Sequence, residues 1–158
     1  MRELLNLTIA QAAKGLKTRN FTAAELTQAH LDQMETHRDL NAYIVETPEL
    51  ALSQAKASDE KISKGQGGAL EGIPLGIKDL FCTKDIQTTA ASKILEGFKP
   101  KYESTVSQKL LDAGAVTLGK LNLDQFAMGS ANTTSAFGNV ISPWKRNNGD
   151  NRDLTPGG

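Results

Sequence analysis

Cysteine is nearly missing from this sequence of 158 residues: Cys82 stands alone, which excludes an internal disulfide and any cysteine-rich metal site. A lone thiol fits a reducing compartment. An excess of either charge is missing as well, since 18 basic residues meet 18 acidic ones and no run of like charges occurs. Such a chain does not grip nucleic acid by itself through phosphate neutralisation, which leaves open a nucleic-acid partner held by another subunit. Long apolar runs are absent. The opening Met1-Arg2-Glu3-Leu4-Leu5-Asn6-Leu7 has one basic residue and then polar interruptions, without the apolar core of a signal peptide. No later stretch reads as a membrane span. The expectation is a soluble, cytoplasmic protein without a membrane partner, about one domain long and able to bury a sizeable core.

The patterns of several common chemistries are also missing. Gly65, Gly67 and Gly68 precede a strand, whereas phosphate loops and dinucleotide fingerprints need glycines after one. His30 and His37 lack a cysteine or glutamate pair beside them, so no metal site is expected. His30 reads as a helix residue with a satisfied ring and His37 as an exposed helix-end cation. Cys82 has no base beside it and reads as a small buried apolar residue rather than a nucleophile. No internal repeat or low-complexity tract occurs.

What is present begins with two helices. Thr8 and Gln11 have capping-box spacing, and Ile9, Ala12, Ala13 and Leu16 follow as an apolar stripe that ends at Arg19-Asn20. Thr22 and Glu25 repeat the box, with Phe21 and Leu26 at staple positions. That second helix is expected to reach about Thr36 with Leu26, Ala29 and Met34 inward. Ala42 to Glu46 alternates as a short strand. Thr47-Pro48 then opens a long helix to about Lys64, which the glycines stop. Further on, Thr105 and Gln108 cap a helix with Val106, Leu110 and Ala113 on one face, and Gly114 takes its C-terminal position. Ala115 to Leu118 is a buried strand closed by Gly119. Strand, helix and strand in this order imply an α/β architecture with parallel crossovers. Cys82 to Ser92 reads as a covering or functional loop. Asp124 reads as the cap of a short helix through Met128 rather than a catalytic carboxylate. Ser130 to Ser135 reads as a solvated loop, with a polar-ligand site as the rival reading. From Asn147 the chain has almost nothing to bury.

The stretch Gly72-Ile73-Pro74-Leu75-Gly76-Ile77-Lys78-Asp79 is the most informative. A short apolar run between Gly and Pro reads as a buried strand. Period-2 alternation puts Leu75, Ile77 and Asp79 on one face, with Gly76 and Lys78 on the other. Bare glycine positions leave room for a ligand or another backbone to approach the lysine. A lysine held in such a place loses hydration, which favours the neutral amine, so Lys78 is a candidate general base. The rival reading is a strand-end lysine whose stem covers the core while its ammonium reaches water.

Several ordered motifs accompany that strand: Thr88-Thr89-Ala90-Ala91-Ser92, Gly114-Ala115-Val116, Leu118-Gly119-Lys120 and Asn122-Leu123-Asp124. Phe126-Ala127-Met128-Gly129-Ser130, Ser135-Ala136-Phe137-Gly138 and Pro143-Trp144 follow. Together with Gly72-Ile73-Pro74 and Ile77-Lys78-Asp79 they resemble the amidase signature family over essentially the whole chain. Within the family, the segment from Phe126 to Ser130 and the upstream helical pair resemble the A subunits of the aspartyl/glutamyl-tRNA amidotransferases.

The resemblance implies an amidase-signature-type mixed sheet covered by helices, present as its N-terminal part with a leading helical pair. Residues 1–64 would form a mainly helical arm, 65–130 the start of the α/β core and 131–158 a polar loop. It implies a Ser–cis-Ser–Lys amidase in which Lys78 is the base and Met128, Gly129 and Ser130 line the substrate pocket. Glutamine would be the substrate, and released ammonia would amidate Glu-tRNA(Gln) or Asp-tRNA(Asn) on a partner subunit. The partners implied are amidotransferase subunits B and C and an aminoacyl-tRNA reached through the complex. No cofactor is implied for this chain; ATP and Mg2+ serve the partner subunit. One departure is large. The family's cis-serine follows two glycines that match Gly157-Gly158, and its Asp-Thr-Gly-Gly-Ser nucleophile motif does not occur. The 158 residues would then be an N-terminal fragment with one of three catalytic residues, inactive alone. Lys145 to Asp153, longer and more polar than the family's link after Pro143-Trp144, reads as a surface insertion. A stand-alone amidase for another amide and a non-catalytic interaction fragment are the rival readings.

Overall fold

The computed structural model describes residues 2 to 147, 149 to 150 and 152 to 158. Met1, in the opening stretch, and Asn148 and Asn151, in the polar segment 145 to 153, lie outside the described residues. The chain divides into two compact units. The first comprises the residues up to Thr36, Glu46–Ile77 and Thr105–Gly119; the second comprises His37–Val45, Lys78–Ser104 and Lys120–Gly158.

The first unit holds the helices: α1 (Arg2–Leu5), α2 (Ile9–Lys17), α3 (Ala23–Thr36), α4 (Pro48–Ser63) and α5 (Thr105–Asp112). Both capping boxes form. Thr8 Oγ1 accepts from the Gln11 amide at 3.2 Å, and Gln11 Oε1 accepts from the Thr8 amide at 2.8 Å. The Glu25 amide donates to Thr22 Oγ1 at 3.0 Å and the Thr22 amide to Glu25 Oε2 at 2.8 Å. Each box satisfies two amides that a helix start leaves without partners. The α3 start has a further acceptor from α4: Asp59 receives the Ala23 amide at 2.6 Å and the Ala24 amide at 3.1 Å. A carboxylate there also meets the positive end of the helix dipole.

Helix α3 buries Leu26, Ala29 and Leu31 along with Ala23 and Thr27, whereas Met34 is only half-buried. Helix α4, with Pro48 in its first turn, buries Ala51, Ala55 and Ser58 and leaves Leu50 exposed. Its packing face against α3 is therefore made of small side chains. The α5 face differs from the expectation. Ser107 is buried and Val106 is exposed, because so short a helix has too little apolar stripe to fix its rotation. Gly114, at φ +92°, ends α5 where a Cβ would run into Glu71. Glu71 is buried and engaged by Ser58 Oγ at 2.7 Å and the Gly68 amide at 3.0 Å.

Three strands, β1 (Tyr43–Glu46), β2 (Pro74–Lys78) and β3 (Val116–Leu121), form one sheet in the order β1-β3-β2. The Gly72 amide bonds the Gly114 carbonyl, Val116 bonds Ile73, and Asp79 bonds Leu121, each at 2.9 Å. Residue numbers rise together on both strands, so β2 and β3 are parallel and α5 is their crossover. Thr47 bonding Leu118 and Asn122 bonding Ala42 run in opposite senses, so β1 is antiparallel. The sheet is mixed, as expected. Strand β3 does not close at Gly119 but continues to Leu121, which places Lys120 inside it.

The second unit has little regular structure beyond the strand ends and three short 3₁₀ turns, Arg38–Leu40, Lys93–Leu95 and Gln125–Ala127. It is nevertheless well buried: Thr83, Thr88, Thr89, Ala90, Ala91 and Ser92 lie inside. The segment from Cys82 to Ser92 is a loop, as expected, but Thr83 and Thr88 to Ser92 are buried while Lys84 and Asp85 remain exposed.

Candidate functional site

The alternation along β2 appears at its C-terminal end, whereas Leu75 is half-buried like Gly76. Ile77 and Asp79 face inward and Lys78 is half-buried on the other face. What the pattern did not foretell is how Asp79 is used. Its carboxylate has no exposure to solvent, and Oδ2 accepts from the Thr89 amide at 2.9 Å and Thr89 Oγ1 at 2.6 Å. Oδ1 makes no hydrogen bond and faces the Lys120 ammonium at 3.3 Å. Lys120, also without exposure, donates to the Phe81 carbonyl at 2.9 Å and to Thr88 Oγ1 at 2.6 Å. Burial pushes the Lys120 ammonium below the usual lysine range, and the Asp79 carboxylate opposes that shift.

A second buried carboxylate organises the segment around Gly129. Asp124 stands at the N-cap of the Gln125–Ala127 turn, as expected, but its side chain makes no capping bond. Its Oδ2 accepts from the Ala131 and Asn132 amides at 3.2 and 2.8 Å. Its Oδ1 accepts from the Thr133 and Thr134 amides at 2.9 and 3.1 Å and from Thr134 Oγ1 at 2.8 Å. Burial pushes this carboxyl up; the Thr134 hydroxyl and the Asn132, Thr134 and Thr133 amides outweigh it and hold the group down to about 2. The loop wraps the carboxylate because successive amides have no strand or helix to donate to and converge on one anion.

Met128 is 80% exposed, and Gly129 and Ser130 are exposed beside it. Gly129 lies against Asp124, where any side chain would collide with the carboxylate. A Cβ on Gly158 would run into the Gly129 carbonyl, the Asp124 carboxylate and Ser130 Cα, so only a glycine fits there. Lys78 Nζ donates to the Gly158 carbonyl at 3.2 Å. The structure thus gathers Lys78, Gly129, Ser130 and Gly158 in one place, with Met128 at its exposed edge. Outside this cluster, His30 Nδ1 is 2.9 Å from the Leu26 carbonyl, a satisfied ring as expected. Cys82 is half-buried with Sγ 3.7 Å from the Tyr102 hydroxyl, so it is not a purely apolar core residue.

Sequence reasoning missed Lys120, and it undervalued Asp79 and Asp124. The signal for Lys120 was available: a charged residue inside the apolar run Ala115 to Leu121 must find buried partners.

A family model described as Amidase matches residues 25–158. The chain belongs to the amidase family. Over 158 residues it is 61% identical to the A subunit of a glutamyl-tRNA(Gln) amidotransferase from Hyphomonas neptunium, covering 100% of this chain and 32% of that protein. The solved glutamyl-tRNA(Gln) amidotransferase A subunit from Thermotoga maritima is 30% identical, with a TM-score of 0.64 over 99% of this chain and 28% of that one. The native peptide amidase from Stenotrophomonas maltophilia is 32% identical, with a TM-score of 0.73 over 89% of this chain and 28% of that one. This amidase chain therefore spans about a third of the length of the curated relatives it matches. Its mixed sheet with covering helices is the amidase-type fold, present in part. Among the described residues, no helix is long and apolar enough to cross a membrane.

Proposed function

We propose that this chain supplies the base-bearing part of the glutamine-hydrolysing A subunit of a tRNA-dependent amidotransferase, with Lys78 as the base. The observation that carries the reading is the convergence of Lys78 with Gly129, Ser130 and Gly158. The relatives named as A subunits of glutamyl-tRNA(Gln) amidotransferases, 61% identical in the first instance, support the choice of substrate class. In this reading the Lys78 amine draws a proton, relayed by a second hydroxyl, from a serine nucleophile that attacks the glutamine amide carbon. Backbone amides near the glycines hold the tetrahedral oxyanion. Met128, Gly129 and Ser130 line the glutamine pocket. The ammonia released passes to partner subunits B and C, where ATP and Mg2+ activate the aminoacyl-tRNA in the cytoplasm.

The test is a chimera joining these residues to the portion of the Hyphomonas neptunium relative that they do not span. Ammonia release from glutamine should exceed that from a peptide amide. Lys78→Ala should lower the glutamine rate by on the order of 10³-fold or more, because members of a proton-transfer unit fail together. Near-normal turnover in Lys78→Ala would remove the lysine from the mechanism and sink the reading.

A further inference from the structure

Lys120 is the largest fully buried side chain among the described residues. A lysine ordinarily lays its stem on apolar surface and lets the ammonium reach water. This one is held inside by two hydrogen bonds, to the Phe81 carbonyl and Thr88 Oγ1, and by an ion pair with the Asp79 carboxylate. An ammonium combines N–H donors with a full charge and no acceptor, so one group can bond two converging oxygens and neutralise a carboxylate beside them. An apolar residue would fill the same volume and leave all three untied.

The acceptors share one address. Asp79 and Phe81 lie just after Lys78, and Thr88 adjoins Thr89, which binds the other Asp79 oxygen. The backbone there is fixed as well. The Lys78 carbonyl accepts from the Phe81 amide at 3.0 Å, the Asp79 amide is held by Leu121 at 2.9 Å, and the Asp79 carbonyl accepts from Ala90 at 3.0 Å. The backbone and the Asp79 carboxylate on the inward side of the β2 end are tied to Thr89, Ala90, Leu121 and Lys120, while Lys78 lies on the other face. We propose that Lys120 is a positioning residue: through Asp79, Phe81 and Thr88 it locks the end of β2 so that the Lys78 amine is held at the reacting centre. This rests on the proposed function, in which Lys78 is the base.

The experiment uses the chimera, with circular dichroism confirming the folded fraction at the assay temperature. Lys120→Met should lower kcat about 10²-fold, the scale of a misplacement near 1 Å, and leave KM within about two-fold. Asp79→Asn with Lys120→Met removes the charge that Lys120→Met leaves unpaired. That pair should regain the parent's melting midpoint while kcat stays low, which a purely structural role would not produce. In a Lys78→Ala background, adding Lys120→Met should change the residual rate little. If Lys78→Ala is inactive but the folded neutral pair turns over like the parent, the positioning role is overturned and the function stands. If Lys78→Ala itself keeps near-normal turnover, the function reading falls and this inference with it. Should Lys120→Met not fold, Thr88→Val removes one acceptor without stranding a charge. It should show a smaller loss confined to kcat, and a parent-like kcat there would overturn the proposal.

Discussion

Inside the first unit lie Leu16, Leu26, Leu31, Ala51 and Ala55; inside the second lie Asp79, Lys120, Asp124, Thr88, Thr89 and Asn132. Burial of apolar side chains is non-directional, so apart from Glu71 and its partners the first unit needs mainly the right faces and roughly the right volumes. Burial of charges and hydroxyls tolerates no such latitude, because each group must meet a partner at bonding distance. The candidate site belongs to the second kind of interior. A proton-transfer site needs its groups held to a fraction of an ångström, and a polar core tied by directional bonds supplies that rigidity where helices and long strands do not.

The sharpest way to break this comparison is to remove one member of the buried pair. Lys120→Met in the chimera should destabilise the fold by about 3–5 kcal/mol, since it strands the Asp79 carboxylate in the interior. Adding Asp79→Asn should return most of the loss. Urea titration followed by circular dichroism measures both. A loss below about 1 kcal/mol, the scale of an exposed ion pair, would mean that the second unit is not organised by its charges.

The same contrast explains what was legible in the sequence. Helix starts are written in residues three apart, so Thr8 with Gln11 and Thr22 with Glu25 were read correctly to the hydrogen bond. The β2-α5-β3 crossover followed from element order, and the face of Lys78 from period 2. The polar knots are written in pairs distant along the chain. Thr89 meets Asp79 from 10 residues away and Thr88 meets Lys120 from 32, and no local pattern announces either. Composition rich in Thr and Ala with little periodicity therefore read correctly as a loop from Cys82 to Ser92, but it did not announce that Thr83 and Thr88 to Ser92 are buried. The motif resemblance singled out Lys78 and the Gly129 segment as candidates but did not say that Asp124 shapes the latter. Helix rotation failed for α5, where eight residues carry too short a stripe.

Asp124 allows a finer test through pH. Its carboxyl is held down to about 2, below the ordinary aspartate value of 3.8. A depressed carboxylate contributes stability that is fully present above the ordinary value and is lost as pH falls through the folded one. Amides of residues 131 to 134 should therefore stay protected from hydrogen exchange at about pH 5 and lose protection toward about pH 2. Asp124→Asn should lower the protection at the upper pH and flatten its dependence, because an amide presents one acceptor oxygen where the carboxylate presents two. Unchanged protection in that variant would detach Asp124 from the loop around Gly129 and Ser130.

The smallest effects should come from the first unit's caps. Thr8→Ala removes the hydroxyl that receives the Gln11 amide at the start of α2, and should cost about 1 kcal/mol. Thr22→Ala should cost less than Thr8→Ala, since Asp59 still receives the Ala23 and Ala24 amides at the start of α3. Thermal unfolding of the two chimeras ranks them, and ammonia release from glutamine should match the parent in both. Equal losses would show that Asp59 adds nothing to the α3 start. A fall in kcat from either cap would be more consequential, because it would make the first unit part of what sets the Lys78 geometry and erase the division of labour between apolar scaffold and polar site.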